Sequence, residues 1–214
     1  MKTRPRLKGG INARRRTRGI VSIEFALLLP LLLGIALPLY DIARNVQAQM
    51  ILINVSREGA NLASRAAATY PMQTIMSSLA ATTPPLSMSG SGMIYITQIM
   101  GSTGCDSKGN GCTGTVVAQW KWTGGGDGGA ASKIWNCSTA GTSWATDGSG
   151  SCNGLGGKTP PQPVDLLKGK LSDGQIAYAV EAFYVQPPLV GAINLGGGIT
   201  TPALSPNLYS MSVF

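Results

Sequence analysis

The feature that most constrains this chain is an apolar run, IVSIEFALLLPLLLGIALPLY, over residues 20–40. As a helix it would extend about 31 Å, the thickness of a bilayer's hydrocarbon core. Pro30 and Pro38 fall inside it; each would disrupt a helix in water, whereas membrane helices tolerate proline because neighbours re-satisfy the freed carbonyls. Ahead of the run, residues 1–19 contain Lys2, Arg4, Arg6, Lys8, Arg14, Arg15, Arg16 and Arg18 and no acid. These residues account for the whole formal charge of +8, so the rest of the chain is neutral. A nucleic-acid binder would spread its basic residues over a folded face with aromatics among them. A basic tail directly before an apolar run instead reads as the cytoplasmic flank of a membrane segment. The expected partner is therefore a membrane, and not nucleic acid.

A cleaved secretory signal is the competing reading, but its apolar region is usually about 7–15 residues and seldom carries an acid. Here the run is longer, and Glu24 interrupts it after four residues. Helical periodicity also continues past it. Ile42, Val46, Met50 and Ile53 recur at spacings of three and four, followed by Ala60, Ala63 and Ala67. Arg44, Asn45, Gln47, Gln49, Asn54, Arg57 and Glu58 share the remaining positions. The pattern predicts one helix over residues 20–69, transmembrane over 20–40 and amphipathic over 41–69, with Pro71 closing it. Glu24 would lie about 7 Å in from Gly19 by helical rise. A carboxylate there costs roughly 2–3 kcal/mol or more unless it finds a partner. Charge arguments leave two outcomes open: a partner inside the membrane, or snorkelling to the interface beside Arg18.

The segment Arg14-Arg15-Arg16-Thr17-Arg18-Gly19, followed by Ile20-Val21-Ser22-Ile23-Glu24-Phe25, resembles a prepilin leader. In such leaders a membrane aspartyl peptidase cuts after a Gly, and a Glu lies five residues beyond the cut. The continuation through Ala26, Pro30, Gly34, Asp41 and Arg44 to Ser56-Arg57-Glu58-Gly59-Ala60-Asn61-Leu62-Ala63 is similar to the TadE-like minor pseudopilins of the tight-adherence (Tad/Flp) pilus system. The resemblance covers residues 14 to about 65. It departs from the family at Asn61, where an Arg is common, and residues 70–214 carry none of it.

The resemblance implies processing between Gly19 and Ile20, which would remove a basic leader, residues 1–19, and leave a new amino group on Ile20. It implies an assembly role for Glu24 and Phe25, with the Glu24 carboxylate pairing with a neighbouring subunit's N-terminal amine. The implied partners are a prepilin peptidase, other pilin and pseudopilin subunits, and an inner-membrane pilus assembly platform. The implied location is a bacterial inner membrane, crossed once, with the N-terminus cytoplasmic and the distal domain periplasmic or carried out on a pilus. The small residues Gly59, Ala60, Ala63, Ala66, Ala67 and Ala68 suit either close packing between subunits or docking on the chain's own domain.

Residues 70–214 read as a separate α+β domain with an antiparallel sheet. Residues 72–81 suit a short helix and 82–85 a turn. Strands are expected over 93–99, 115–122, 176–185 and 208–214. In the third, Ile176, Tyr178, Val180, Ala182 and Tyr184 share one face, and Ala177, Ala179, Glu181, Phe183 and Val185 the other. Sixteen of the 29 glycines fall within 101–157, which reads as a flexible, exposed insertion. Its run Gly124-Gly125-Gly126-Asp127-Gly128-Gly129 lacks the Lys-Ser/Thr of a phosphate loop. Asp147-Gly148-Ser149-Gly150 lacks the further oxygen ligands of a calcium loop.

All four cysteines lie in the insertion. Local pairing gives Cys105–Cys112 and Cys137–Cys152, two other connectivities remain open, and outside the cytoplasm such disulfides persist. A four-cysteine zinc site is disfavoured by the long gaps within those pairs. Trp120, Trp122, Trp135 and Trp144 could cover this region, offer a contact surface or pack in the core.

With no histidine in the chain, Ser-His-Asp and Cys-His nucleophiles, histidine zinc sites and a histidine general base are excluded. The acids are scattered, with no pair spaced for acid–base chemistry. With these classes set aside, the resemblance implies a non-enzymatic minor pseudopilin with no catalytic residue, cofactor or metal. The alternative is an uncleaved, signal-anchored envelope protein whose distal domain binds glycan or another envelope protein.

Overall fold

A computed structural model describes residues 13–66, 71–101, 114–126, 130–138, 141–155, 163–189, 191 and 205–214. The chain divides into two compact units, residues 1–43 with 189–203, and residues 44–188 with 204–214. A single helix, α1 (Ala13–Ala66), contributes to both and contains Pro30 and Pro38. It starts earlier than the expected residue 20, inside the basic segment. Residues 67–69 of the expected helix lie outside the described residues.

The second unit is α+β, as expected. After α1 come α2 (Met72–Ala81), α3 (Met88–Ser91), β1 (Gly92–Gly101), β2 (Gly114–Lys121), β3 (Ser143–Trp144), β4 (Cys152–Asn153), β5 (Pro163–Val164), β6 (Ile176–Val185) and β7 (Asn207–Val213). Five strands form one antiparallel sheet in the order β5-β2-β1-β6-β7. Two ten-residue strands, β1 and β6, pair along almost their whole length at its centre. Against β1, Gln98 pairs with Ala118 but Ile99 with Val116, so Val117 is the extra residue of a bulge in β2.

One face of the sheet packs on helices. Leu52, Val55, Ala60 and Ala63 of α1 and Ile75, Met76 and Leu79 of α2 close a core over Ile94, Ile96, Val180 and Ala182. The amphipathic half of α1 buries a different row from the one its large apolar residues suggested. Ile42, Val46 and Met50 remain 47%, 49% and 61% exposed, while Ala48, Leu52, Val55, Ser56, Gly59, Ala60 and Ala63 are buried. The reason is the close approach of helix to sheet. A Cβ on Gly59 would meet Leu79 Cδ1 at 2.9 Å and Val180 Cγ1 at 3.0 Å, so only a row of mostly small residues fits.

Described residues of the Gly-rich stretch also cover part of the second face, so the stretch is not exposed throughout. Cys137, Thr142 and Leu155 are buried, and Ile99, Val116 and Ala179 form a core with Leu155 and Val164. Of the expected pairs, Cys137–Cys152 is a disulfide. It joins the segment before β3 to β4, which itself pairs with β3. Closing a loop of this length stabilises a fold by about 3 kcal/mol. Cys105 and Cys112 lie outside the described residues. The covering segment is tied to β2 through Lys121 N–H, which donates to the Gly150 carbonyl at 2.8 Å. Gly150 holds φ at 61°, and a Cβ there would run into the Lys121 carbonyl.

Candidate functional site

The residues expected to act in processing and assembly lie close together on α1. Gly19 and Ile20 are helical, and Glu24 follows within two turns. Every residue from 21 to 37 is exposed, including Glu24 and Phe25. This helix is long and apolar enough to cross a membrane, with a mean hydropathy of 2.1 over its most apolar stretch, none of which is buried. It fits a membrane anchor. At the end of this stretch Asp41 is only 3% exposed. Its Oδ1 accepts the backbone N–H of Leu189 at 3.0 Å, which satisfies a carboxylate that burial would otherwise disfavour.

The distal block of α1 serves the fold of the second unit. The Ser56 hydroxyl bonds with those of Ser210 and Ser212 on β7, at 2.9 and 3.1 Å, and with the Ile53 carbonyl at 3.0 Å. Gly59, Ala60 and Ala63 are buried, whereas Arg57 and Glu58 point to solvent. Docking on the chain's own domain is thus the use of these three small residues. Ala67 and Ala68 lie outside the described residues.

A polar cluster lies under the covering segment on the second face. Glu181 of β6 has no exposed surface. Its Oε1 accepts the Lys133 backbone N–H at 2.9 Å and the Tyr209 hydroxyl at 3.0 Å, and its Oε2 accepts the Ser132 hydroxyl. Gln119 Nε2 reaches Thr97 Oγ1, Ser132 Oγ and the Trp135 carbonyl at 3.0–3.1 Å. Burial pushes the Glu181 carboxyl above the usual carboxylate range, and these hydrogen bonds oppose the shift only in part. The Tyr209 hydroxyl is pushed up too, first by burial and then by Glu181. Lys133 Nζ stands 3.7 Å from the Tyr209 ring centroid, a cation–π contact. Ser132 and Lys133 of the covering segment, together with Tyr209 of β7, take up the carboxyl oxygens, so the cluster fastens residues 132–135 onto the sheet. Among the described residues, no three Cys, Asp or Glu side chains converge on a point where a metal could bind.

The TadE-like protein family matches residues 19–61. Over that stretch the chain is TadE-like. No curated protein and no solved structure matches the chain. The match covers about a fifth of the chain and relates that stretch to the TadE-like proteins of the Tad pilus system.

The TadE-like segment runs from Gly19 through the exposed apolar stretch to Asn61 in the docked half of α1. It takes in Gly19, Ile20, Glu24 and Phe25 and leaves out the four cysteines and the Glu181 cluster. The sequence reading assigned Glu181 to the face opposite Val180, and the structure agrees, but its role as a buried fastener went unread. The available signal was a lone acid inside the strand IAYAVEAFYV. An acid on an otherwise apolar strand needs buried partners.

Proposed function

We propose that this TadE-like chain is a minor pseudopilin that joins or primes a Tad/Flp-type pilus, matured by prepilin peptidase cleavage after Gly19. One observation carries the reading: a helix whose residues 21–37 are exposed throughout, with Glu24 the acid among them. Leaving a large apolar side chain in water forgoes about 1.5–3 kcal/mol relative to burying it, so this surface calls for lipid or other helices. Glu24 on the same surface would be costly in either setting unless it meets a cation. The amine released on Ile20 of a neighbouring subunit is such a cation, and pairing with it would set the stagger between packed helices.

In this reading residues 1–19 are the leader, and 20–40 span the inner membrane with the N-terminus cytoplasmic. Residues 41–69 continue the helix, and 70–214 form the domain displayed on the periplasmic side or on the pilus. The chain is a substrate of the peptidase and a partner of other pilins and of the assembly platform, without catalysis of its own. Intact mass and N-terminal sequencing of protein from cells with and without the peptidase test this. A peptidase-dependent chain beginning at Ile20 is expected. Retention of residues 1–19 in both strains would overturn processing and favour the uncleaved, anchored binding protein. Glu24→Ala should leave the protein expressed and membrane-bound while impairing piliation; normal piliation would remove the stagger role.

A further inference from the structure

The sheet ends at β7, and half of that strand's backbone polar groups face away from it. Phe214 exchanges both backbone hydrogen bonds with Tyr178, at 2.6 and 3.0 Å, and Gln186 N–H donates to the Pro206 carbonyl at 2.7 Å. The register between them is unbroken. Antiparallel alternation therefore turns the N–H and C=O groups of Asn207, Tyr209, Met211 and Val213 to the outer side. The Tyr209 carbonyl agrees with this, since it accepts from Gln49 Nε2 at 2.9 Å. The outward groups of Met211 and Val213 have no partner among the described residues. Stable proteins guard such edges with Lys, Pro, a bulge or a covering element. The strand NLYSMSV has no charge, no proline and no bulge.

Two clefts flank this edge on the second face. One, of about 340 Å³, is bordered by Phe183, Asn207, Tyr209 and Lys133. The other, of about 650 Å³, is bordered by Tyr209, Met211, Trp135, Leu166 and Asp165. Lys133 and Tyr209 belong to both, and Lys133 is the only charged side chain bordering the first among the described residues.

We propose that β7 is a docking edge for an extended segment of a partner protein that adds a sixth strand to the sheet. An Asp or Glu of that segment enters the first cleft against Lys133, and an apolar side chain two residues along enters the second. Side chains two apart on a strand share a face and lie about 7 Å apart, which suits two clefts that meet at Tyr209. Charge decides the occupant. A second copy would bring a β7 with no acid, and two-fold pairing of the edges would set two Lys133 side chains along one seam. Two like charges brought close there would repel. The proposal does not depend on processing or helix packing.

The test uses the full chain in detergent micelles and fluorescence anisotropy. The probe is a fluorescein-labelled nine-residue peptide that alternates Thr with Val, Glu, Leu and Val, and the control carries Lys in place of Glu. Saturable binding of the Glu peptide is expected, with the Lys control about tenfold weaker or more. Lys133→Glu, an exposed position, should reverse that order. Met211→Pro removes an outward N–H without touching the β6 ladder, and it should abolish binding while the thermal midpoint holds. Equal binding of both peptides, or full binding by Lys133→Glu, would overturn the proposal. So would a dimer that Met211→Pro dissolves and the peptide leaves intact, since the edge would then belong to a second copy.

Discussion

The two halves of α1 are made from opposite choices of residue. Over residues 21–37 the helix carries Leu, Ile, Val and Phe on all sides, every one exposed, and Glu24 among them. Between Ala48 and Ala63 the buried row is mostly small, and the larger Ile42, Val46 and Met50 face outward. Side-chain size here reports the kind of neighbour. Small residues mark a neighbour fixed by the fold at close range, as Gly59 shows against Leu79 and Val180. Bulky residues in every direction mark an apolar environment on all sides, as lipid or a bundle of other helices would provide.

Paired substitutions would break or sharpen that contrast, each read by denaturant unfolding of the full chain in detergent. The largest effect should come from Leu52→Ala, at about 3 kcal/mol, because Leu52 is fully buried and leaves a cavity. Leu32→Ala, at a site 62% exposed, should stay within about 0.5 kcal/mol. Equal losses at the two sites would erase the distinction between the halves. Next comes Gly59→Leu, expected to destabilise by about 2 kcal/mol through overpacking, while Gly34→Leu, with open space around it, should be near neutral. Ser56→Ala should cost about 1 kcal/mol, since it leaves Ser210 and Ser212 without their shared partner.

The smallest effect is one of pH. Burial raises the folded-state pKa of Glu181 above its usual 4.5. The unfolded chain therefore loses its proton first as pH rises, so stability is highest below that value and falls through the window up to the folded pKa. Glu181→Gln should flatten this fall. A profile identical to the parent chain would mean that the Glu181 pKa is the same in the folded and unfolded chains.

Much of the fold was legible in the sequence. The bounds of α2 and β6 match the expected residues 72–81 and 176–185 because helical and alternating patterns run through them without interruption. β1, β2 and β7 differ from expectation by one or two residues at their ends. By contrast α3, β3, β4 and β5, of two to four residues, are too short for any period to show. The cover on the second face was unreadable for a different reason. Its packing rests on single residues such as Cys137, Ser132 and Leu155, set among Gly, Ser and Thr, and no composition signal distinguishes such a stretch from an exposed loop.

The sequence by itself determined the long N-terminal helix, its fitness as a membrane anchor, its TadE-like character and the α+β class of the distal domain. These depend on local periodicity, on the placement of charge along the chain and on the order of a few residues. Only the tertiary structure decided which row of α1 is buried, that the Gly-rich segment covers the sheet, and that Glu181 fastens it there. Each depends on how close two distant segments come. That distance is set by the packing of whole surfaces, which short-range patterns along the chain do not record.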